Sequence, residues 1–127
     1  MDAVILLIEP HPLHAKLFSD VIRMHGFSCV TSSTGREGIA IATCALPQLV
    51  ILDLVLPDFD GRDVIHLIRK ETRTAAIPII VLTAADGPQN KYDCAVSGAT
   101  AFIGKPVRLT EFRKQIENAL NLEAAFT

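Results

Sequence analysis

The sequence predicts an α/β fold built on a parallel β-sheet. Short, nearly continuous aliphatic runs, typical of strands buried on both faces of a parallel sheet, alternate with longer segments of helical periodicity. Five such strand–helix pairs follow one another with short connections. Because parallel strands need right-handed crossovers, the helices should lie on both faces of a five-stranded, doubly wound sheet.

The first two strand–helix pairs contain clear start and stop signals. An aliphatic run forms the first strand, and Pro12 suits the first turn of the helix that follows, which carries an apolar stripe of Leu13, Leu17, Val21 and Met24 and stops at Gly26. The second strand alternates apolar and polar residues, which fits an edge of the sheet. A capping-box pattern at Thr34-Gly35-Arg36-Glu37 opens the second helix. The predicted elements are strand 4–8, helix 12–26, strand 27–31 and helix 34–45.

The remaining three pairs follow the same pattern. The third strand begins at Leu49 and ends in Asp53, the fourth is Ile79 to Thr83 after Pro78, and the fifth is Ala101 to Ile103. The helix between the fourth and fifth strands, Gln89 to Ser97, is short and rather polar. The best match for this order of elements is the flavodoxin-like strand order 2-1-3-4-5. The other predicted helices are 62–70 and a last amphipathic helix that carries Leu109, Phe112, Ile116, Ala119 and Leu120 and ends near Leu122.

Composition bounds the class of protein. The 127 residues, half of them hydrophobic and a fifth charged, predict one domain over 1–127 with a substantial core. A net charge of −2 gives no electrostatic footprint for nucleic acid or an anionic membrane, and no apolar run is long enough to cross a bilayer. The start, Met1 to Val4, shows no secretory signal. Cys29, Cys44 and Cys94 are interpreted as core or near-core thiols, which predicts a reducing, cytoplasmic location.

Four polar residues fall at the carboxyl ends of four strands. Glu9 follows the first strand and Lys105 the fifth, while Asp53 ends the third and Thr83 the fourth. In a parallel sheet these ends lie on one edge, where open α/β sheets bind their ligands. An acid among aliphatic residues has a desolvation cost, which indicates a compensating partner group or a functional role. A strand-end Asp can also cap the next loop.

This set of groups suits phosphoryl transfer to a carboxylate. Asp53 would attack phosphorus and form an acyl phosphate. Lys105 and Thr83 would offer a cation and a hydroxyl to the charged phosphoryl oxygens. A Mg²⁺ ion held by carboxylates and a backbone carbonyl would offset the repulsion between Asp53 and the incoming group.

At this point the chain, from about Val4 to Leu120, resembles the receiver (CheY-like) domain of two-component response regulators. The matching segments are the Asp53 strand with Pro57, Asp60-Gly61 after it, Thr83-Ala84, and the run from Gly98-Ala99 through Phe102 to Lys105-Pro106. The run from Leu13 to Phe27 is also similar to single-domain cell-cycle regulators of this family.

The resemblance implies a role for each matching residue. Asp53 accepts phosphate from a histidine kinase or histidine phosphotransfer protein, Thr83 moves toward the phosphoryl group, and Lys105 pairs with it. Phe102 is the switch aromatic whose rotamer follows Thr83, and the bond before Pro106 is expected to be cis.

The docking face that changes lies around helix 89–97, the fifth strand and the last helix, and serves a downstream protein target or a fused output domain. The resemblance implies a signalling domain rather than an enzyme. The implied metal ligands are Glu9, Asp53 and the backbone carbonyl of Val55.

One departure from the family weakens the metal site. The first strand usually ends in two acids, but here the pair is Glu9-Pro10, and proline has no side-chain oxygen. Mg²⁺ often binds through one or two carboxylates plus water, so binding should be weaker rather than lost. Two alternatives stay open: Mg²⁺-dependent phosphorylation of Asp53, and a degenerate receiver that binds proteins without phosphate.

Smaller departures affect turnover. Val55 and Ala85 are apolar at positions where family members vary in how they admit the hydrolytic water, which predicts slow loss of the phosphoryl group. His11 and His14 form a His-x-x-His pair beside the site, a weak signal for metal binding on its own.

Two other functions are disfavoured. A phosphohydrolase with an Asp nucleophile typically has a second acid two residues later, where this chain has Val55. No glycine-rich phosphate loop follows any predicted strand, which argues against a nucleotide-binding fold.

Overall fold

A computed structural model describes residues 3–121, and within that range five strands alternate with five helices. The strands are β1 (Val4–Ile8), β2 (Ser28–Ser32), β3 (Leu49–Leu52), β4 (Ile79–Thr83) and β5 (Ala101–Gly104). The helices are α1 (Pro12–Met24), α2 (Gly35–Ala45), α3 (Gly61–Lys70), α4 (Pro88–Ser97) and α5 (Leu109–Ala119). The alternation follows from the aliphatic runs and the cap residues around them.

The strands form one parallel sheet in the order β2-β1-β3-β4-β5, which confirms the predicted flavodoxin-like topology. The register brings four strands to the same edge. Ile8 at the end of β1 pairs with Leu52 at the end of β3, and Val81 lies between Leu52 and Phe102. Residues just beyond these pairs therefore share one side of the molecule.

Each face of the sheet has its own hydrophobic core, because successive side chains of a strand point to opposite faces. On one face, α1 and α5 cover alternate residues of the central strands; on the other, α2, α3 and α4 cover the remaining ones. Every residue of β3 and β4 is buried, which explains their unbroken aliphatic character. The first core includes Ile5, Leu7, Phe18, Ile22, Ile51 and Phe112, and the second Leu6, Ile8, Val50, Ile65, Ile68 and Val81.

The apolar stripe predicted on α1 is not the face that packs on the sheet. Leu13, Leu17 and Met24 are 72%, 49% and 80% exposed, whereas Phe18 and Ile22 are buried. Only Val21 belongs to both sets. Phe18, Val21 and Ile22 have the i, i+3, i+4 spacing of a second apolar face, and that face covers the core. The stripe therefore lies on the surface.

Other differences from the predicted elements are small. The polar strand β2 lies at the edge of the sheet, one residue later than expected, and α1 ends at Met24 rather than Gly26. The end of the last helix was predicted at Leu122, which lies outside the described residues. Cys94 is buried and Cys29 half-buried, but Cys44 is exposed, so the prediction of a near-core thiol was wrong there. Between residues 3 and 121, no helix combines the length and the apolar character needed to span a membrane.

Candidate functional site

Backbone hydrogen bonds continue the parallel pairing just past the strand ends and bring four polar side chains together. The Asp53 amide donates to the Ile8 carbonyl at 3.0 Å, and the Lys105 amide donates to the Thr83 carbonyl at 2.9 Å. Glu9 follows Ile8 directly, so its side chain leaves the sheet beside that of Asp53. The sheet itself thus assembles the predicted cluster of Glu9, Asp53, Thr83 and Lys105.

Lys105 lies at the centre of this cluster. Its Nζ donates to Glu9 Oε1 at 2.6 Å and to Asp53 Oδ2 at 2.9 Å, and its third contact is with His14 Nδ1 at 3.0 Å. Burial alone would lower the pKa of Lys105, but the hydrogen bonds and negative charges of Glu9 and Asp53 outweigh burial and raise it. Lys105 therefore stays charged over the whole physiological range.

The second oxygen of Asp53 is held by hydrogen-bond donors. Asp53 Oδ1 accepts from the Thr83 hydroxyl at 2.7 Å and from the Val55 amide at 3.1 Å. The Thr83 oxygen in turn accepts from the Ala85 amide at 3.2 Å. Thr83 is fully buried, whereas Asp53 is 9% exposed. The carboxylate is thus fixed in orientation and largely buried at the edge of the sheet.

The turn after β3 depends on a close approach at Gly61. A Cβ added at Gly61 would lie 2.6 Å from the Leu54 Cα, so a side chain there would push the turn away from the strand. The Asp60 side chain caps α3 by accepting from the Arg62 amide at 2.9 Å. This turn sets the position of Val55 next to Asp53.

Asp58, in the same turn, ties the loop to α2. Its two carboxylate oxygens accept from the Gly35 amide at 2.8 Å and the Arg36 amide at 2.9 Å. These amides belong to the first turn of α2, where a negative charge is favourable. The hydrogen bond from Arg36 in particular lowers the pKa of Asp58, which keeps the carboxylate charged.

Phe102 and Pro106 lie on either side of Lys105 in the sequence but differ in setting. Phe102 is half-buried against the core under α2, α3 and α4 and lines a cavity of about 200 Å³ with residues of α4, including Lys91 and Ala95. The Lys105–Pro106 peptide bond is cis. Phe102 therefore lies on β5 beside helix α4.

The residues at the edge meet the minimum requirement for Mg²⁺. Glu9 and Asp53 supply two carboxylates, and Mg²⁺ in proteins often uses one or two of them with water and a carbonyl such as that of Val55. Pro10 supplies no side-chain oxygen, and among residues 3–121 no group of three His, Cys, Asp or Glu side chains could hold a metal ion. These oxygen donors suit Mg²⁺, but they are too few to complete its coordination shell. The ion would also share the two carboxylates with Lys105.

Two features of the site were not predicted from the sequence. His14 contacts Lys105 and lines a largely apolar cavity of about 350 Å³ between α1 and the start of α5. Arg62 pairs with Asp60 at 2.6 Å and with Asp93 of α4 at 3.0 Å, so it joins the β3–α3 turn to α4. The His-x-x-His spacing draws attention to His14, whereas no local sequence pattern indicates that Arg62 bridges two elements.

Comparison with known proteins agrees with this geometry. The model of the response regulator receiver domain matches residues 5–117. Over 107 residues, the chain is 31% identical to the probable transcriptional regulatory protein TcrX of Mycobacterium tuberculosis, covering 84% of this chain and 45% of TcrX. It is 27% identical to the polar-differentiation response regulator DivK of Brucella ovis over 94% of this chain and 98% of DivK.

A solved structure shows the same fold. The receiver domain of the sensor histidine kinase PA1611 from Pseudomonas aeruginosa, solved with a magnesium ion in its active-site cleft, superposes with a TM-score of 0.89. It is 22% identical, with 95% of this chain and 99% of that one covered. The chain spans less than half the length of three curated relatives that it matches at 30–34% identity.

Proposed function

Because this chain belongs to the response regulator receiver domain family, we propose that it is the phosphoacceptor of a two-component His–Asp relay and that Asp53 takes the phosphoryl group. The observation that carries this proposal is the setting of Asp53. One of its oxygens is held by Thr83 and the Val55 amide, and the other pairs with Lys105. A hydroxyl and a cation thus stand where charge would develop on a transferred phosphoryl group.

The proposed step is a direct displacement at phosphorus. An oxygen of Asp53 forms the new P–O bond while the P–N bond of a phosphohistidine breaks, and the imidazole leaves with that electron pair and takes up a proton. Asp53 becomes an acyl phosphate. Lys105 then pairs with the phosphoryl oxygens, and Thr83 turns its hydroxyl from Asp53 toward them. In this step the chain is itself the group that is modified, and the phosphohistidine of the partner protein is the donor.

Mg²⁺ would lie against Glu9 and Asp53 and neutralise part of the charge between the carboxylate and the phosphoryl group. The magnesium in the PA1611 receiver domain supports a metal at this place in the fold. Pro10 removes one anionic ligand, so we expect weak binding. The apolar residues Val55 and Ala85 cannot orient a water molecule, and we expect the acyl phosphate to be lost slowly.

The surface around the site suits a helical phosphodonor. Leu13 and Leu17 of α1 and Leu109 of α5 are exposed, and Leu17 and Leu109 line the cavity beside Lys105. An apolar helix face of a histidine kinase or histidine phosphotransfer protein can bury these residues while it brings its phosphohistidine to Asp53. Such a relay operates in the cytoplasm.

Phosphorylation would change the face formed by α4, β5 and α5. Phe102 of β5 lies beside α4, and Thr83 pairs with Gly104 of the same strand, so a movement of Thr83 toward the phosphoryl group would be transmitted to β5 and to this ring. The recipient of that change is a downstream protein or an output domain fused to this one.

A second candidate is a degenerate receiver that binds proteins without phosphate. The observations that favour it are Pro10 and the pairing of both carboxylates with Lys105. The site would then be held by its own internal cation, and Lys105 would have a structural role.

Titration with Mg²⁺ and beryllofluoride, followed by amide NMR, separates the two functions. Beryllofluoride stands in for the phosphoryl group on Asp53. We expect the amides of Asp53, Thr83, Phe102 and Lys105 to shift together only when both ligands are present, and to stay fixed in Asp53→Asn. Absence of any shift at millimolar Mg²⁺ would exclude the phosphoacceptor and favour the degenerate receiver.

A further inference from the structure

The contact between His14 and Lys105 shows which ring nitrogen of His14 carries the proton. A lysine ammonium has three hydrogen-bond donors and no acceptor. Two of the donors of Lys105 go to Glu9 and Asp53, and Nζ lies 3.0 Å from His14 Nδ1. Nδ1 must therefore carry a lone pair, with the proton on Nε2, so the imidazole in this arrangement is neutral.

We infer that His14 is a positioning residue for Lys105: its neutral imidazole accepts the third hydrogen bond of the ammonium and holds Nζ against Asp53. The inference rests on the proposed function for its consequence in phosphoryl transfer. The contact itself belongs to the resting protein.

The surroundings of His14 support an uncharged acceptor. Its ring stacks on that of His11 with centroids 4.1 Å apart and meets the edge of Phe18 at 6.4 Å. The elements across the cavity contribute apolar groups, Ala84 from the β4–α4 connection and Leu109 from α5. Among the described residues that line this cavity or contact the His14 ring, the charged or titratable groups are Lys105 and His11, and the charges of Glu9 and Asp53 act on His14 through Lys105.

Protonation of His14 would break the contact. An imidazolium has no lone pair for the ammonium and carries a charge of the same sign, so the two groups would separate. Lys105 would then keep Glu9 and Asp53 but lose the partner that limits its movement toward the cavity. The position of Lys105 against Asp53 therefore depends on an uncharged acceptor at position 14.

Two variants of similar shape distinguish the role of His14 as a hydrogen-bond acceptor from its role in packing. Asn places its Oδ1 where His14 has Nδ1 and cannot titrate, whereas Leu has the same branched shape without an acceptor. At about pH 7.5, we expect His14→Asn to bind beryllofluoride as the wild type does and His14→Leu to bind about fivefold more weakly.

His11→Asn is the matched control and should bind beryllofluoride as the wild type does. Equal affinity of His14→Leu and wild type at pH 7.5, or an equal loss of affinity in His14→Asn and His14→Leu, would overturn the inference.

A measurement on the resting protein distinguishes this inference from the proposed function. The ¹⁵N resonance of an unprotonated ring nitrogen moves when that nitrogen accepts a hydrogen bond. We expect the Nδ1 resonance of His14 to change in Lys105→Met and that of the exposed His66 to stay unchanged. An unchanged His14 resonance overturns the inference, whereas a changed one without any beryllofluoride binding counts against the proposed function alone.

Discussion

The Thr83 hydroxyl connects two groups of the site, so its removal tests the geometry directly. It donates to Asp53 Oδ1 and accepts from the Ala85 amide, and the residue is fully buried. Thr83→Val keeps the shape but removes both hydrogen bonds. We expect the free energy of unfolding, measured with urea, to fall by about 1–3 kcal/mol, because the bond to a charged acceptor is lost and an amide loses its partner.

Thr83→Ser is the matched control for this change. It keeps the hydroxyl and loses one methyl group, so it should cost less than Thr83→Val. A larger loss in Thr83→Ser would show that packing of the methyl group, rather than the hydrogen bonds, gives Thr83 its importance.

Pro10 is the second residue whose replacement is informative. Pro10→Asp adds a carboxylate beside Glu9, and the affinity of oxygen sites for hard cations rises with the charge and number of ligands. We expect Mg²⁺ to bind on the order of tenfold more tightly, as followed by the amide shifts of Glu9 and Asp53 during titration. Pro10→Ala removes the ring without adding an acid and should leave the Mg²⁺ affinity at the wild-type level. Equal affinities in all three proteins would mean that position 10 does not reach the ion.

At the scale of elements, sequence patterns predicted the sheet better than the helix faces. The continuous aliphatic runs of β1, β3 and β4 indicate central strands, because both faces of each strand are buried. On α1, two apolar faces compete, and the sequence alone does not say which one covers the sheet. The stripe that the spacing predicts, with Leu13, Leu17 and Met24, is exposed, whereas Phe18 and Ile22 fill the core. Leu17 of this stripe lines the cavity beside Lys105 at the functional edge, whereas Met24 lies on the last turn of α1.

The loop after β3 also depends on a link between elements. Asp58 binds the amides of Gly35 and Arg36 at the start of α2, and the Arg36 hydrogen bond lowers its pKa below the ordinary value of 3.8. A carboxyl whose pKa is lowered by folding stabilises the fold above its ordinary pKa, and that contribution is lost as the pH falls. We expect the Gly35 and Arg36 amide shifts to change as the pH drops below about 3.8.

Asp58→Ala tests the same link without acid. We expect the midpoint of thermal unfolding to fall by about 2–5 °C at neutral pH, as for loss of a helix cap, and the acid-dependent shifts of Gly35 and Arg36 to disappear. Asp20→Asn removes an exposed acid of α1 that pairs only with Lys16 among the described contacts, and it should change neither property. Persistence of the acid-dependent shifts in Asp58→Ala would assign them to another carboxylate.

At the scale of the whole molecule, the strand order explains how much of the site was predictable. Glu9, Asp53, Thr83 and Lys105 come together because each ends or follows a strand of one parallel sheet, so topology alone placed them. The contact of Arg62 with Asp93 and that of Asn90 with the Ala85 carbonyl join α3, α4 and the β4–α4 connection. These contacts depend on how the helices pack against one another. The hydrophobic periodicity of the sequence does not predict that packing. The same holds for His14, whose partner Lys105 is 91 residues away.

A site made from four separate strand ends exists only in the folded chain, so its ligands should stabilise the fold as a whole. At a concentration of Mg²⁺ and beryllofluoride 100 times the dissociation constant, linkage predicts about 2.7 kcal/mol of added stability. For a domain of this size, we expect the midpoint of thermal unfolding to rise on the order of 10 °C, measured by circular dichroism. Asp53→Asn should unfold at the same temperature with and without the ligands. An equal rise in Asp53→Asn would place the ligands elsewhere on the protein, whereas no rise in the wild type at millimolar Mg²⁺ would mean that Lys105 occupies the edge too firmly for a phosphoryl group to enter.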